Sequence, residues 1–447
     1  MRAAKLILAM VCTVPLAQAM DLKEAWQQLK SQGPVYQAAM YEREAGVLNR
    51  QLGLAGLLPQ ISVTAYKNRV DGHSDQPDVL GRTRENKLDY DAQGAVAQLR
   101  QPLFNWQKYA EYRQGEQRAQ YSEAVFDARA QDLAIRLANR YFDVLLARES
   151  VSLAEAKARA FEVQRSAAMR RHALGDGTVT DVDEATARRD LAQAEYIEAQ
   201  DKLLIARRLL QEMLGESLTS VASLNPDRFE TPQIEPRTLP DWMALAETEN
   251  PWIRARRRAL AVADEEVSRS TGGHLPTLDL VLSYNAGDSE TISTLDQRNR
   301  YGLIGVQLSI PVFSGGAISA QVRQAQANRA KTQAELHAAR EEVISDTTRE
   351  FRGVQSGEAR IRALETAIIS SERALHSTRK GFMAGTSTNV DILNAEEKVF
   401  VARRDLVDAK LRYLMARLRL AAAAGALGDD DLGWANGYLT GTLALGP

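Results

Sequence analysis

Apolar and polar residues follow two periods along this chain, in different stretches. Leu278, Leu280, Leu282 and Tyr284 alternate with Asp279, Val281, Ser283 and Asn285. Leu88, Tyr90, Ala92, Gly94 and Val96 alternate with Asp89, Asp91, Gln93, Ala95 and Ala97. A period of two predicts strands. Four are expected, at about 60–67, 88–99, 277–285 and 301–311, with polar loops Asp71–Asn86 and Ala286–Arg300 inside the pairs. In the fourth, Ile304, Val306, Leu308 and Ile310 put the apolar residues on the other register, which a bulge or a turn out of lipid would explain. Such alternation fits a membrane strand with lipid on one side and a wet lumen on the other. Tyr66, Tyr90, Tyr284 and Tyr301 sit near strand ends, where interface aromatics belong. A half-buried soluble sheet produces the same alternation.

Elsewhere the spacing is three-four. Ile392, Ala395, Val399, Ala402, Leu406, Ala409, Tyr413, Ala416 and Leu420 keep it strictly. So do Val182, Ala185, Arg189, Ala192, Tyr196, Ala199, Leu203, Ala206 and Leu210, and Ile361, Leu364, Ile368, Ser371, Leu375, Thr378 and Phe382. Larger residues mostly alternate with Ala, so one seam position stays small and helices can approach closely, knobs into holes. Helices are expected at 35–56, 105–172, 181–214, 252–271, 316–383 and 391–424. No proline lies between Pro102 and Pro226 or between Pro311 and Pro447, leaving both longest helices unbroken. At ~1.5 Å rise per residue each is a rod of ~100 Å, a length that belongs to coiled coils rather than globular folds.

The chain is written twice. Pro34 and Pro59 match Pro251 and Pro276; Gln98-Leu99-Arg100-Gln101-Pro102-Leu103-Phe104 matches Gln307-Leu308-Ser309-Ile310-Pro311-Val312-Phe313. Gly175, Thr178, Asp181 and Ala185 match Gly385, Thr388, Asp391 and Ala395. A period of roughly 210 residues is a duplicated half-structure, far beyond solenoid periods. The expected organisation is a first repeat at 20–225, a linker at 226–250, a second repeat at 251–425 and a tail at 426–447. The strand parts lie at 60–99 and 277–311, the helical parts at 35–56, 105–214, 252–271 and 316–424.

Residues 1–19 read as a secretory signal: Arg2 and Lys5, an apolar run from Leu6 to Val14, then Ala17-Gln18-Ala19. Cleavage is expected between Ala19 and Met20. It removes Cys12, the only cysteine of the 447-residue sequence, and with it any disulfide or thiolate chemistry. Acylation of Cys12 is the competing reading, against which Val11 is branched where a small residue is wanted. A formal net charge of −2 gives no reason to expect nucleic acid. Aromatic residues are only 6%, low for one large globular core.

Four strands cannot close a barrel, and an open sheet edge is forbidden in lipid. If these are membrane strands, several chains must share one barrel, with the helices continuing off its end as a tube. Physics alone does not choose between two chains and three.

The signal peptide, the duplicated strand–strand–long-helix order and the turn motifs resemble the TolC family of outer-membrane channel-tunnel proteins. The resemblance covers about 21–425. It rests on Leu99-Arg100-Gln101-Pro102-Leu103-Phe104, its partner Leu308-Ser309-Ile310-Pro311-Val312-Phe313, and the turns Gly175…Thr180-Asp181-Val182 and Gly385-Thr386-Ser387-Thr388-Asn389-Val390-Asp391-Ile392-Leu393. It implies a homotrimer with a 12-stranded barrel, four strands per chain, in the cell outer membrane of a Gram-negative bacterium, and an α-helical coiled-coil barrel through the periplasm. With no lipidated cysteine, the chain looks like the type I secretion branch, and within it like components exporting proteases or lipases. The implied partners are a periplasmic membrane-fusion adaptor, an inner-membrane ABC transporter or other pump, and outer-membrane lipid.

The resemblance also carries a site. The family's tunnel narrows at its periplasmic tip, where two acidic positions fall on Asp391 and Asn394. A trimer would carry one carboxylate ring there, and rings of like charge select cations. Thr180, Asp181 and Phe382 fall on positions that hold the tip shut, and the family's basic residue at the turn falls on Ser387. Gly175, Thr178, Gly385, Thr386 and Thr388 complete the two turns. The plainer reading is capping, with Thr180 and Asp181 starting one helix and Asn389 or Asp391 the other.

The sequence has no Gly-Lys-Ser/Thr loop, no His-Glu-x-x-His and no Gly-x-Ser-x-Gly, and its five histidines make no pair at i, i+4. Neither an enzyme nor a cofactor or metal site is expected. The cluster Arg254, Arg256, Arg257 and Arg258 reads as a solvated face. The expected function is a passive duct exporting unfolded protein. The alternatives are the same fold serving drug or metal efflux, and a soluble periplasmic scaffold.

Overall fold

The computed structural model describes residues 19–77, 79–215, 220–225, 229–232, 234–290 and 296–444. The expected signal segment lies, up to residue 18, outside the described residues. The first half contains α1 (Leu22–Gln32), α2 (Pro34–Val47), α3 (Asn49–Ala55), β1 (Gln60–Pro77), β2 (Thr83–Phe104), α4 (Trp106–Ala173), α5 (Val179–Leu214) and β3 (Ser220–Leu224). The rest contains α6 (Leu239–Glu249), α7 (Pro251–Thr271), β4 (Thr277–Glu290), β5 (Asp296–Ser309), α8 (Ala317–Met383), α9 (Asn389–Ala423), α10 (Asp429–Asn436) and β6 (Leu439–Ala444). Helices α4 and α8 run 68 and 67 residues without interruption. Among the described residues, no helix is long and apolar enough to cross a membrane.

The chain divides into two compact units, one formed by 1–41, 126–253 and 340–447, the other by 42–125 and 254–339. In the first, the three-four seams are the buried stripes: Ala185, Ala192, Ala199 and Leu210 on α5, and Ile392, Ala395, Val399, Ala409, Tyr413 and Leu420 on α9. Small Ala at alternate seam positions lets the α5 and α9 backbones approach, and Leu137 of α4, Leu210 and Leu214 of α5 and Leu414 of α9 join one buried cluster.

Two segments taken from sequence as linker and tail are structured. The linker range holds α6, and the tail range holds α10 and β6. β6 pairs antiparallel with β3, and Met20 forms an isolated bridge to Val221. The buried Tyr141 hydroxyl serves this junction, accepting from the Ala222 N–H at 3.0 Å and lying 2.9 Å from the Met20 carbonyl. Burial pushes its pKa up, so it stays a neutral hydrogen-bonding group. α1 opens with a capping box between Asp21 and Glu24, and its Trp26 Nε1 donates to Asp429 at the start of α10. The Trp26–Asp429 contact joins residues 403 apart in sequence, beyond any local pattern.

In the second unit the sheet order is β1-β2-β4-β5, antiparallel throughout, with β1 and β5 as edges. Ile61 faces Leu99, Leu99 faces Leu282 and Leu282 faces Ile304. Residues directly opposite share a face. One face therefore carries Ile61, Val63, Leu99, Leu280, Leu282, Tyr284, Ile304, Val306 and Leu308. The other carries Ser62, Thr64, Gln98, Ser283 and Asn285 at the same height, mixed with Val96, Tyr301 and Leu303.

This register corrects two expectations. The fourth strand needs no irregularity, because Ile304, Val306 and Leu308 lie directly across from Leu282, Leu280 and Leu278. The inverted strand is the second: Ala95, Ala97 and Leu99 lie on the apolar face, and Gly94 and Val96 on the polar one. The hairpin-proximal run Leu88–Ala92 carries the misleading parity, because there both faces leave the apolar zone. Gly94 instead lies under the Tyr66 ring, where a Cβ would meet ring atoms at 2.9 Å.

The polar segments 71–86 and 286–300 are not loops over most of their length. The ladder continues through them, with cross-strand ion pairs Arg69–Asp89 at 3.0 Å beside the first segment and Arg298–Asp288 at 3.0 Å within the second. Among the described residues the first hairpin turns only at 79–82, with Gly81 at φ 75°. Residues 291–295 of the second turn lie outside the described residues. Within the same unit, Arg256 pairs with Glu335 on α8 and Arg258 donates to Gln117 on α4, so the arginine cluster is partly spent on packing α7.

Candidate functional site: the paired helical turns

The two turns joining α4 to α5 and α8 to α9 repeat one geometry. α4 ends at Ala173 and α8 at Met383; Gly175 and Gly385 follow at φ 83° and 77°. That left-handed conformation favours glycine, since a Cβ would clash with the following carbonyl. The Thr386 N–H and hydroxyl both donate to the Gly381 carbonyl, at 2.8 and 3.1 Å, and the Ser387 N–H does so at 3.3 Å.

The caps are Thr178 and Thr388, one to three residues earlier than Thr180, Asp181, Asn389 or Asp391. Each threonine hydroxyl accepts the N–H of the residue three on, and that aspartate accepts the threonine N–H in return. Asp181 sits 3.1 Å from the Thr178 nitrogen and Asp391 2.8 Å from that of Thr388. This reciprocal box satisfies two helix-start donors at once, which a side chain further along the helix cannot do. Thr180 is exposed and takes no part in it.

Both aspartates are therefore held ionised. The Thr388 N–H and hydroxyl keep the exposed Asp391 below the usual carboxylate range. The Thr178 hydroxyl and N–H do the same for Asp181, with help from the Arg171 charge.

Arg171, in the last turn of α4, brings the two turns together. Its guanidinium lies over the Phe382 ring at 4.5 Å, and its Nη2 donates to Asn389 Oδ1 at 3.1 Å. Asn389 is buried, so it is a contact of the turn and not its cap. Phe382, expected to hold the tip shut, has its described partner in Arg171. The sequence signal was the run Arg170-Arg171-His172, which reads equally as compensation of a helix C-terminus.

Asn394 faces α5, where Arg188 Nη2 donates to its Oδ1 at 3.0 Å. Arg188 also reaches Glu397 at 2.9 Å, and Lys157 bridges Glu397 and Glu195 at 2.8 Å each. On the adjacent position, the buried Glu396 accepts from Arg379 and from Gln164 at 3.1 Å. Two neighbouring glutamates on α9 thus tie three other helices, α4, α5 and α8, about one turn from Asp391. Burial opposes the Lys157 charge, but its two carboxylates outweigh that and raise its pKa. Lys157 and Arg188 hold Glu397 low. Sequence reading missed this clasp because its members are scattered over 240 positions.

The site offers charge, close helix approach and a polar clasp. The comparisons with known proteins agree with that character. The model of the family "Outer membrane efflux protein" matches residues 25–216 and 242–426. The chain is 35% identical over 421 residues to the proteases secretion protein PrtF of Dickeya chrysanthemi, covering 93% of this chain and 90% of that one. It is 35% identical over 418 residues to the alkaline protease secretion protein AprF of Pseudomonas aeruginosa, covering 93% and 86%. It is 26% identical over 442 residues to the outer membrane protein TolC of Escherichia coli, covering 97% and 87%. Among solved structures, CusC superposes with TM-score 0.78 at 17% identity, over 91% of this chain and 92% of that one. VceC of Vibrio cholerae does so at 0.76 and 19%, over 90% and 96%. The duplicated fold and a match across both repeats lead to one conclusion: the chain belongs to the outer membrane efflux protein family, of the TolC type.

Proposed function

We propose that this protein is the outer-membrane duct of a type I secretion system, passing unfolded protein, a protease or lipase, from the periplasmic side to the outside. The observation that carries this reading is the 35% identity, over 93% of the chain, to two proteins named for protease secretion. The duct is passive. Three chains share one barrel, so that the unpaired edges of β1 and β5 find partners on neighbouring protomers, as lipid requires. The apolar sheet face meets lipid and the polar face lines the lumen. The paired turns form the periplasmic entrance, with Asp391 lining it and Asn394 leaving the second position neutral. Thr180, Asp181, Phe382 and Ser387 lie around it, and Arg171 holds the two turns of one protomer together. Export is driven by an inner-membrane ABC transporter through a periplasmic adaptor.

Deleting the gene tests this. Loss of protease or lipase from the culture medium, with antibiotic and metal tolerance unchanged, supports secretion. Unchanged secretion with lost tolerance supports the second reading, drug or metal efflux, which the family description favours.

A further inference from the structure

The apolar face of the sheet does not end in neutral residues. Its last apolar row toward the hairpin turns runs Ala65, Ala95, Ala286, and the fourth member, on β5, is Arg300. One row further lie Lys67, Gln93, Asp288 and Arg298, and then Arg69 opposite Asp91. Lys67, Arg69, Arg298 and Arg300 stand on the two edge strands, β1 and β5, while Lys87 of β2 lies further out, opposite His73. Asp89 neutralises Arg69 and Asp288 neutralises Arg298. Lys67 and Arg300 are exposed, with no carboxylate in salt-bridge reach among the described residues. The opposite margin of the face differs: it ends in Leu278, Leu308 and Phe104.

In a barrel shared by three chains, β5 of one protomer meets β1 of the next. We infer that Arg300 and Lys67 converge at each protomer seam as a cationic site for the phosphorylated headgroups of outer-leaflet lipid. The inference rests on the shared-barrel reading. Three features select a lipid headgroup over a soluble anion. The cations share the face that meets lipid, they continue the apolar band without a break, and they lie at the hairpin margin, remote from the strand ends that feed the long helices. A headgroup there keeps its acyl chains on Ile61, Val63 and Ile304 while its phosphates meet Lys67 and Arg300. Each cation adds to attraction toward an anionic surface, and a seam site also binds two protomers through one lipid.

The test uses the full mature protein in detergent, as wild type, as the Lys67→Gln/Arg300→Gln double variant, and as Lys331→Gln, a charge change on α8. Binding of fluorescent diphosphorylated lipid A is titrated in mixed micelles, beside the same lipid without phosphates and with inorganic phosphate as competitor. The expected result is binding about tenfold weaker in the double variant, and equally weakened for the phosphate-free lipid, with Lys331→Gln like wild type. Equal affinity in wild type and double variant overturns the inference. Displacement of lipid A by inorganic phosphate at equal concentration also overturns it, assigning a free-anion site instead. Trimer mass and single-channel conductance are read on the same samples. A wild type that is not trimeric overturns the shared barrel and this site with it. A conducting trimer whose lipid binding ignores both substitutions overturns this site alone.

Discussion

Arg171, at the end of the first long helix, donates to Asn389 in the first turn of the last long helix, 218 residues on, at 3.1 Å. The same guanidinium covers Phe382. One side chain thereby couples the two duplicated turns of a protomer.

Replacing it should loosen the entrance. A cation–π contact at a partly exposed site and a charged hydrogen bond together contribute about 2 kcal/mol, roughly thirtyfold in a closed-to-open ratio. Arg171→Ala is expected to raise open probability in planar bilayers, and Arg171→Lys to recover part of the closure. Identical conductance in all three proteins would remove Arg171 from the gate.

Asp391 is exposed and ionised, and Asn394 is neutral. Asp391→Asn should move the reversal potential in a salt gradient toward the unselective value, and Asn394→Asp should move it further toward cations. If Asp391→Asn leaves the reversal potential where it was, that carboxylate does not face the pore.

The Lys157–Glu397–Arg188 clasp sets a pH dependence. Hydrogen bonding to Lys157 holds Glu397 below its ordinary value of 4.5. Its stabilisation is thus complete above that value and is lost as pH falls through the lowered one. Lys157 is raised above its ordinary 10.5, so its share is complete below that pH and lost only at higher alkalinity. Conductance should stay level between the two ordinary values and rise as pH falls through the lowered value of Glu397. Glu397→Gln should already conduct more at neutral pH and flatten the acid rise. A wild-type profile with no acid limb would argue against the clasp.

The β2 register makes a paired test. Ala97 shares the apolar face and Val96 the polar one. An arginine on a lipid face costs ~2–4 kcal/mol near the bilayer middle and far less on a lumen face. Ala97→Arg should lower the yield of membrane-inserted trimer sharply, and Val96→Arg should leave it near wild type. The reverse outcome would restore the parity suggested by Leu88, Tyr90 and Ala92.

Much of this was legible beforehand, for identifiable reasons. The seams of α5 and α9 showed because every third or fourth residue on a helix shares a face, so burial writes itself into local spacing. The turns showed because a left-handed position demands glycine, and Gly175 and Gly385 recur at matched places in both repeats. β2 was misread because Ala, Gly and Val carry too little contrast between neighbours to reveal a period of two. The outer parts of both hairpins, 71–86 and 286–300, read as loops because side chains such as Asp288 and Arg298 look solvated until they are paired across strands.

By itself, then, the sequence determined the duplication, the rods and the tight turns, all of which depend on neighbours within a few residues or on copies of one motif. Tertiary structure alone decided which face of each strand is apolar, what Arg171 and Glu397 hold, and how Tyr141 pins Met20 to Ala222. Those contacts join residues far apart in sequence, and no local spacing records which distant side chain will complete a hydrogen bond or neutralise a charge.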